Sequence, residues 1–599
     1  MEKAADFKDG DLSYGFWVAA GRRLGGCCSP NMVYISFVGQ GLARHLPNQE
    51  PHLKKSLFQH WPLYAAVSSL LLIMSVILGV SISHNQGHLV YALDDPYIHM
   101  AMARNFSQYG VWGATRYGFT SSSSSPLWTL LLSLTYYLFG VGQIVPLLWN
   151  LLFTLLDLLA AYAILGWYKV PPVAKFIALL GLILLIPLPA LILCGMEPPL
   201  QILISLFTVF FAARLISGES PGSAGGDSVR LLILAPLVTG VRFEGMFLII
   251  AIGAILLILK RWSYALVFGA LGFLPVLVSG IISVSKGWFW LPNSVLLKAT
   301  SPDFSSPGRL ILSLCYPIIE NTRMALHVPA LLIAVLLVYI AASGKGSGAR
   351  ESRQVMGTIL LLVGLAHLEF VRPTLLYRYD AYLTTLCILL LAMQIPVVVP
   401  HWPPLLPLSA WAVPRNAAAG VLVLALAFPL GMEGGLLLWQ VPQCTTNIFE
   451  QQYQMGLFVR KYYQGSSAAL NDIGAVNFLA DIHCLDLWGL ASLEVAQARR
   501  NHRYQLGEVA SFSQQGQVRM AIIYDAWFVG LVPPDWVRVG TWTIRNNLVA
   551  GNDTVSFYAA DPAEATHLTQ CLRDFSAQLP GDVIQRGPYL SWGNDGAKP

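Results

Sequence analysis

Long apolar runs separated by short polar breaks fill the first three quarters of the chain, at lengths that predict membrane-crossing helices. They lie at residues 61–82, 144–168, 173–193, 200–215, 231–241, 245–259, 263–284, 325–342, 356–370, 376–397 and 417–438. The expectation is an all-α polytopic domain with eleven crossings. Two further apolar stretches, 126–140 and 310–323, are too short for a full crossing and read as helices lying in the membrane interface. After residue 440 the pattern changes. Short β-rich runs at 468–471, 521–524 and 555–559, a helical run at 493–500, and punctuation by Gly, Pro and Asn predict a small α/β domain.

The organisation expected is a polar tail (1–57), a transmembrane domain (58–439) whose first loop spans 93–142, and the α/β domain (440–599). The first strong apolar run starts some sixty residues in, so it reads as a retained anchor rather than a signal peptide. Lys54 and Lys55 precede it, and Lys169, Lys175, Lys260, Arg261, Lys345, Arg350 and Arg353 sit in alternate turns. The positive-inside rule then puts the tail in the cytoplasm and both the first loop and the α/β domain outside it.

Composition sharpens this. The chain has 599 residues, 55% hydrophobic and only 12% charged, against roughly 25% charged in soluble domains. A net charge of +5 from scattered Lys and Arg does not suggest nucleic acid. There is no C-x-x-C among the eight cysteines; Cys444, Cys484 and Cys571 fall in the polar part and leave one disulfide open. A Walker loop, a G-x-G-x-x-G strand–helix junction and an H-E-x-x-H helix are all absent.

Candidate chemistry concentrates in the first loop. Asp94 and Asp95 stand where the chain leaves the bilayer, followed by Pro96 and a helical pattern with Ile98, Met102 and Phe106 on one face. Paired carboxylates there suit a general base or a divalent-cation ligand; the plainer alternative is a helix cap ahead of Pro96. His99 shares a face with Asp95. Ser121–Ser125 reads as a flexible polar loop. Glu197, Arg242, Glu244, Lys298, Arg372 and Arg378 lie at span ends on the same side as Asp94. Arg and Lys there suit a lipid phosphate, or else snorkel to headgroups or pair with Glu. Asn552-Asp553-Thr554 is a glycosylation sequon placed outside.

The ordered motifs are Leu93-Asp94-Asp95-Pro96-Tyr97-Ile98, Ser124-Ser125-Pro126-Leu127-Trp128-Thr129, Gly195-Met196-Glu197, Arg242-Phe243-Glu244-Gly245, Pro292-Asn293 with Lys298, and Arg378-Tyr379. Asn471-Asp472-Ile473-Gly474-Ala475 and Asp486-Leu487-Trp488-Gly489-Leu490 follow in the α/β domain. This set resembles the GT-C superfamily of polytopic glycosyltransferases, in particular the bacterial branch that includes the mycobacterial terminal β-arabinofuranosyltransferase. The resemblance implies a GT-C-type fold in a bacterial plasma membrane. It also implies a polyprenyl-phosphate sugar donor, a glycan or glycolipid acceptor, and transfer with inversion on the outer face. It maps the base to Asp94 or Asp95, the donor-phosphate contacts to Arg242, Lys298, Arg372 and Arg378, and further substrate contacts to His99, Trp128, Glu197, Glu244, Asn293 and Tyr379. The α/β domain would help bind the acceptor, and a divalent cation at Asp94/Asp95 is the one cofactor to consider. Pro96, Pro198, Phe243 and Ser294 depart from the branch's pattern and leave the sugar open. A lipid-sugar flippase and a non-catalytic assembly subunit are the rival classes.

Overall fold

The computed structural model describes residues 59–219, 224–297, 305–342, 349–372, 375–398 and 413–590. The expected tail, 1–57, and Lys298 lie outside these residues. Among the described residues, five helices are long and apolar enough to cross a membrane: Trp61–His84, Val145–Trp167, Pro198–Ser217, Trp262–Ser285 and Glu351–Phe370. Two bent pairs bring the number to seven. Pro172–Leu185 joins Leu188–Cys194 at 42°, and Pro307–Met324 joins His327–Leu337 at 100°. The described residues thus show five to seven of the eleven expected crossings. Two of the expected runs form shorter apolar helices, Phe243–Ile258 and Ala381–Gln394. The chain is a multi-pass membrane protein with one continuous apolar core in its helical part.

The C-terminal part is built on a six-stranded sheet of order β2-β1-β3-β5-β4-β6, with β1 Ser467–Leu470, β2 His483–Asp486, β3 Met520–Ile523, β4 Val537–Thr543, β5 Thr554–Ala559 and β6 Ile584–Arg586. β1 pairs in parallel with β2 and β3, and the remaining pairings are antiparallel. Alternation along the strands sorts side chains onto two covered faces. Ala468, Leu470, Met520, Ile522 and Phe557 pack with Phe458, Trp542 and Phe575 on one side. Ala469, Ala521, Ile523 and Tyr558 pack with Val495, Val509 and Trp536 on the other. Burial on both faces is why β3 reads as an unbroken apolar run. Cys444, Cys484 and Cys571 are all free, so the open disulfide is not formed; they sit apart, on helix Val413–Ile448, on β2 and on helix Ala565–Ser576.

The first-loop helix, Asp95–Tyr109, begins with Pro96 in its first turn and stops at Gly110 in the left-handed region. Most of its residues up to Asn105 are buried between helix Pro126–Phe139 and the short helix Gly474–Leu479 of the sheet domain, while Phe106, Gln108 and Tyr109 at its end are exposed. It thereby joins the two parts of the molecule.

Candidate functional site

That junction clamps helix Gly474–Leu479 at both ends. Asp94 Oδ2 accepts from the Gly474 N–H (2.7 Å) and Oδ1 from the Ala475 N–H (2.8 Å). Arg104 donates to the carbonyls of Phe478 (2.7 Å) and Asn477 (3.1 Å). A carboxylate at the amide end and a guanidinium at the carbonyl end both complement the helix dipole and satisfy groups the helix leaves unpaired. Asp94 makes no side-chain cap to its own helix. A Cβ at Gly474 would sit 2.1 Å from the Asp94 carbonyl oxygen, so this approach requires glycine.

Asp95 has a different partner. Its side chain is 37% exposed and pairs with the Arg378 guanidinium. Arg378 follows two non-glycine residues in the left-handed region, Leu376 (φ 63°) and Tyr377 (φ 57°), strain of a kind that persists where the surroundings impose it. Asp94, Asp95 and Arg378 line a cavity of about 560 Å³, together with His327, Asp380 and Glu433 from the membrane part and Gln452, Asp472, Trp527 and Gly551 from the sheet-domain side.

Asp472 follows β1 and Tyr524 follows β3, at the carboxyl ends of adjacent parallel strands whose connections leave in opposite directions. Such a switch point is where open α/β sheets hold ligands. Asp472 Oδ2 accepts from the Tyr524 hydroxyl (2.6 Å) and Gln452 Nε2 (2.8 Å). Burial and the neighbouring Asp472 carboxylate push the Asp94 carboxyl up, against the two backbone donors that pull it down. Asp472 is raised as well, chiefly by burial. The pair therefore holds a proton above the ordinary carboxylate range.

The other sequence candidates divide. Arg242 does not line the cavity. It is 2% exposed and locked between Glu197 (2.5 Å) and Glu244 (2.6 Å), so its charge is already matched inside the protein. Glu197 and Glu244 are the other members of that triad, away from the cavity wall. Tyr379 lies under both guanidiniums, with Arg242 at 4.1 Å and Arg378 at 5.0 Å from its ring centre, and so couples the triad to Arg378. Arg372 is exposed and does not line the cavity. Trp128 is fully buried core. His99 is buried against Thr129 (2.9 Å), a structural contact rather than a substrate contact, and burial lowers its affinity for a proton. The metal assignment is not supported. Asp94 spends both oxygens on N–H donors, Asp95 pairs with Arg378, and the described residues hold no group of three His, Cys, Asp or Glu side chains suited to a metal ion.

The serine loop is also corrected. Ser121, Ser122, Ser123 and Ser125 are buried. The strap they form accepts from the Asn293 N–H at Ser121 (2.8 Å) and from the Phe243 N–H at Ser124 (3.3 Å), and Ser122 donates to the Leu490 carbonyl (2.8 Å). Asn293 Nδ2 also donates to the Gly489 carbonyl (2.8 Å), so Asn293 is a tie within the fold. Around Gly489, the Asp486 carboxylate accepts from the Trp488 and Ala491 N–H groups (2.8 and 2.7 Å) and shapes that turn. Distant motifs thus meet at one strap. The sequence does not single out Gln452, Tyr524 or Trp527; Asp472 carries two signals there, its place after a short strand and its place in the motif Asn471-Asp472-Ile473-Gly474-Ala475.

A family model described as a domain of unknown function (DUF8728) matches residues 446–558. No curated protein matches the sequence. Among solved structures, ArnT from Cupriavidus metallidurans bound to undecaprenyl phosphate aligns over 84% of this chain and 98% of its own, at 13% identity and a TM-score of 0.49. The archaeal oligosaccharyltransferase AglB from Archaeoglobus fulgidus, in complex with an inhibitory peptide and a dolichol-phosphate, aligns over 88% and 76%, at 12% identity and a TM-score of 0.45. The apo form of the Archaeoglobus fulgidus oligosaccharyltransferase aligns over 84% and 74%, at 10% identity and a TM-score of 0.49. Scores this low, at such identities, assign neither fold nor function by themselves.

Proposed function

We propose that this protein is an inverting glycosyltransferase of the GT-C type that takes a sugar from a polyprenyl-phosphate donor on the outer face of the membrane. The observation that carries the reading is Asp95 paired with Arg378 at the wall of a cavity between the membrane helices and the sheet domain. The ordered sequence motifs support it independently. A donor phosphate entering the cavity takes over the Arg378 guanidinium, which suits a bidentate anion contact. Asp95 is then released to act as base. The acceptor hydroxyl gives its proton to Asp95 and its oxygen attacks the anomeric carbon. The bond from that carbon to the phosphate oxygen breaks, and the lipid phosphate leaves with its added negative charge beside Arg378. Asp94, committed to helix Gly474–Leu479, acts as a positioning residue.

The test is reconstitution in proteoliposomes with a panel of polyprenyl-phosphate sugars. Sugar transfer with release of free lipid phosphate is expected, falling roughly 10²–10⁴-fold in Asp95→Asn. Normal turnover by that variant removes Asp95 as the base. Lipid movement without release of free lipid phosphate favours a flippase instead.

A further inference from the structure

The two walls of the cavity differ in chemistry. Arg378, the one Lys or Arg among the described lining residues, belongs to the membrane part. The sheet-domain side presents Gln452, Asp472, Trp527 and Gly551, with no Lys or Arg among the described lining residues. Gln452 is 1% exposed, and its Oε1 has no hydrogen-bond partner, while its Nε2 is held on Asp472 (2.8 Å). Gln452 thereby holds the Asp472 carboxylate in place at the cavity wall. Beside it stands the half-buried Trp527, braced by Trp488 (ring centres 4.9 Å apart) and Tyr524 (5.1 Å). Gly551 lies close against the indole, and a Cβ there would come within 2.4 Å of the ring.

We infer that Trp527, Gln452 and Asp472 form an acceptor subsite for an uncharged, hydroxyl-rich sugar. The indole face, negative at its centre, takes the polarised C–H face of a sugar ring. The Asp472 carboxyl, fixed by Gln452 Nε2, accepts from ring hydroxyls. An anionic glycan would set its charge against Asp94 and Asp472, and a cationic ligand would compete with Arg378 across the same small space. This deepens the glycosyltransferase reading and rests on it for the word acceptor.

The experiment measures binding of oligosaccharides to the full-length protein in nanodiscs with no donor present, by saturation-transfer NMR and calorimetry. The panel holds neutral oligosaccharides, uronic-acid and phosphorylated oligosaccharides, and amino-sugar oligomers. Saturable binding of neutral members is expected, weakened about tenfold in Trp527→Ala. Trp527→Phe restores part of it, and Gly551→Ala, which displaces the indole, weakens it too. A melting temperature within the wild-type range establishes that each variant is folded. Three results overturn the subsite: no saturable binding, equal or tighter binding of charged members, or a Trp527→Ala affinity equal to wild type. Failure of the glycosyltransferase reading looks different. Neutral glycans would still bind through Trp527 while no donor in the reconstituted panel transferred sugar.

Discussion

Asp94 and Asp95 are chain neighbours whose carboxylates part: Asp94 turns onto the Gly474 and Ala475 N–H groups, Asp95 onto the Arg378 guanidinium. A helix start displays successive side chains about 100° apart, and here that separation gives one residue to the sheet-domain helix and the other to Arg378, though both line the cavity.

The two aspartates therefore fail differently. Asp95→Asn is expected to lose transfer with an unchanged melting temperature. Asp94→Ala leaves two N–H donors unpaired and is expected to cost about 1–3 kcal/mol, with faster hydrogen exchange across residues 474–479. Matching stability and activity losses in both variants would contradict this division.

Arg378 and Arg242 also separate. Arg378→Gln is expected to weaken binding of polyprenyl phosphate by roughly 10–100-fold, the scale of one or two charge-assisted hydrogen bonds. Arg242→Met leaves Glu197 buried and unpaired, and is expected to destabilise the protein by roughly 3–5 kcal/mol. Calorimetry with the lipid phosphate and denaturation in detergent would tell the two apart.

Gly474→Ala is expected to act at a distance from any substrate. Its Cβ would meet the Asp94 carbonyl and carboxylate, so the helix and the loop must separate. The readout is a lower melting temperature and easier proteolysis between the membrane part and the sheet domain, and wild-type behaviour in both would show that the approach is not tight.

The junction is expected to weaken as pH rises. Asp94 and Asp472 have folded-state pKa values raised above the unfolded ones, so the folded protein binds more protons in that interval. Stability is full below the ordinary carboxylate range and is lost as pH climbs through the raised values. Asp472→Asn removes the partner carboxylate, and the melting temperature of that variant is expected to vary less across the same range. An unchanged slope would place the pH dependence elsewhere.

Much of the helical part was legible because a membrane span is a local property: about twenty apolar residues in a row suffice. The 468–471, 521–524 and 555–559 runs fall within one residue of β1, β3 and β5, because burial on both faces leaves short, nearly unbroken apolar runs bounded by polar turns. The crossing number was not legible, since a 42° bend after Leu185 and short helices such as Phe243–Ile258 look like spans in sequence.

What the sequence determined by itself is the membrane class, the sheet domain, the Pro96 helix start and the short list of charges able to act. Only the tertiary structure decided which aspartate pairs with Arg378, that Arg242 is matched by two glutamates, that the serine run is a buried strap, and that Asp472 joins Asp94 from far along the chain. The reason is physical. Hydrophobic periodicity is written in neighbouring residues, whereas a hydrogen bond between Asp94 and Gly474 spans 380 positions and leaves no period to read.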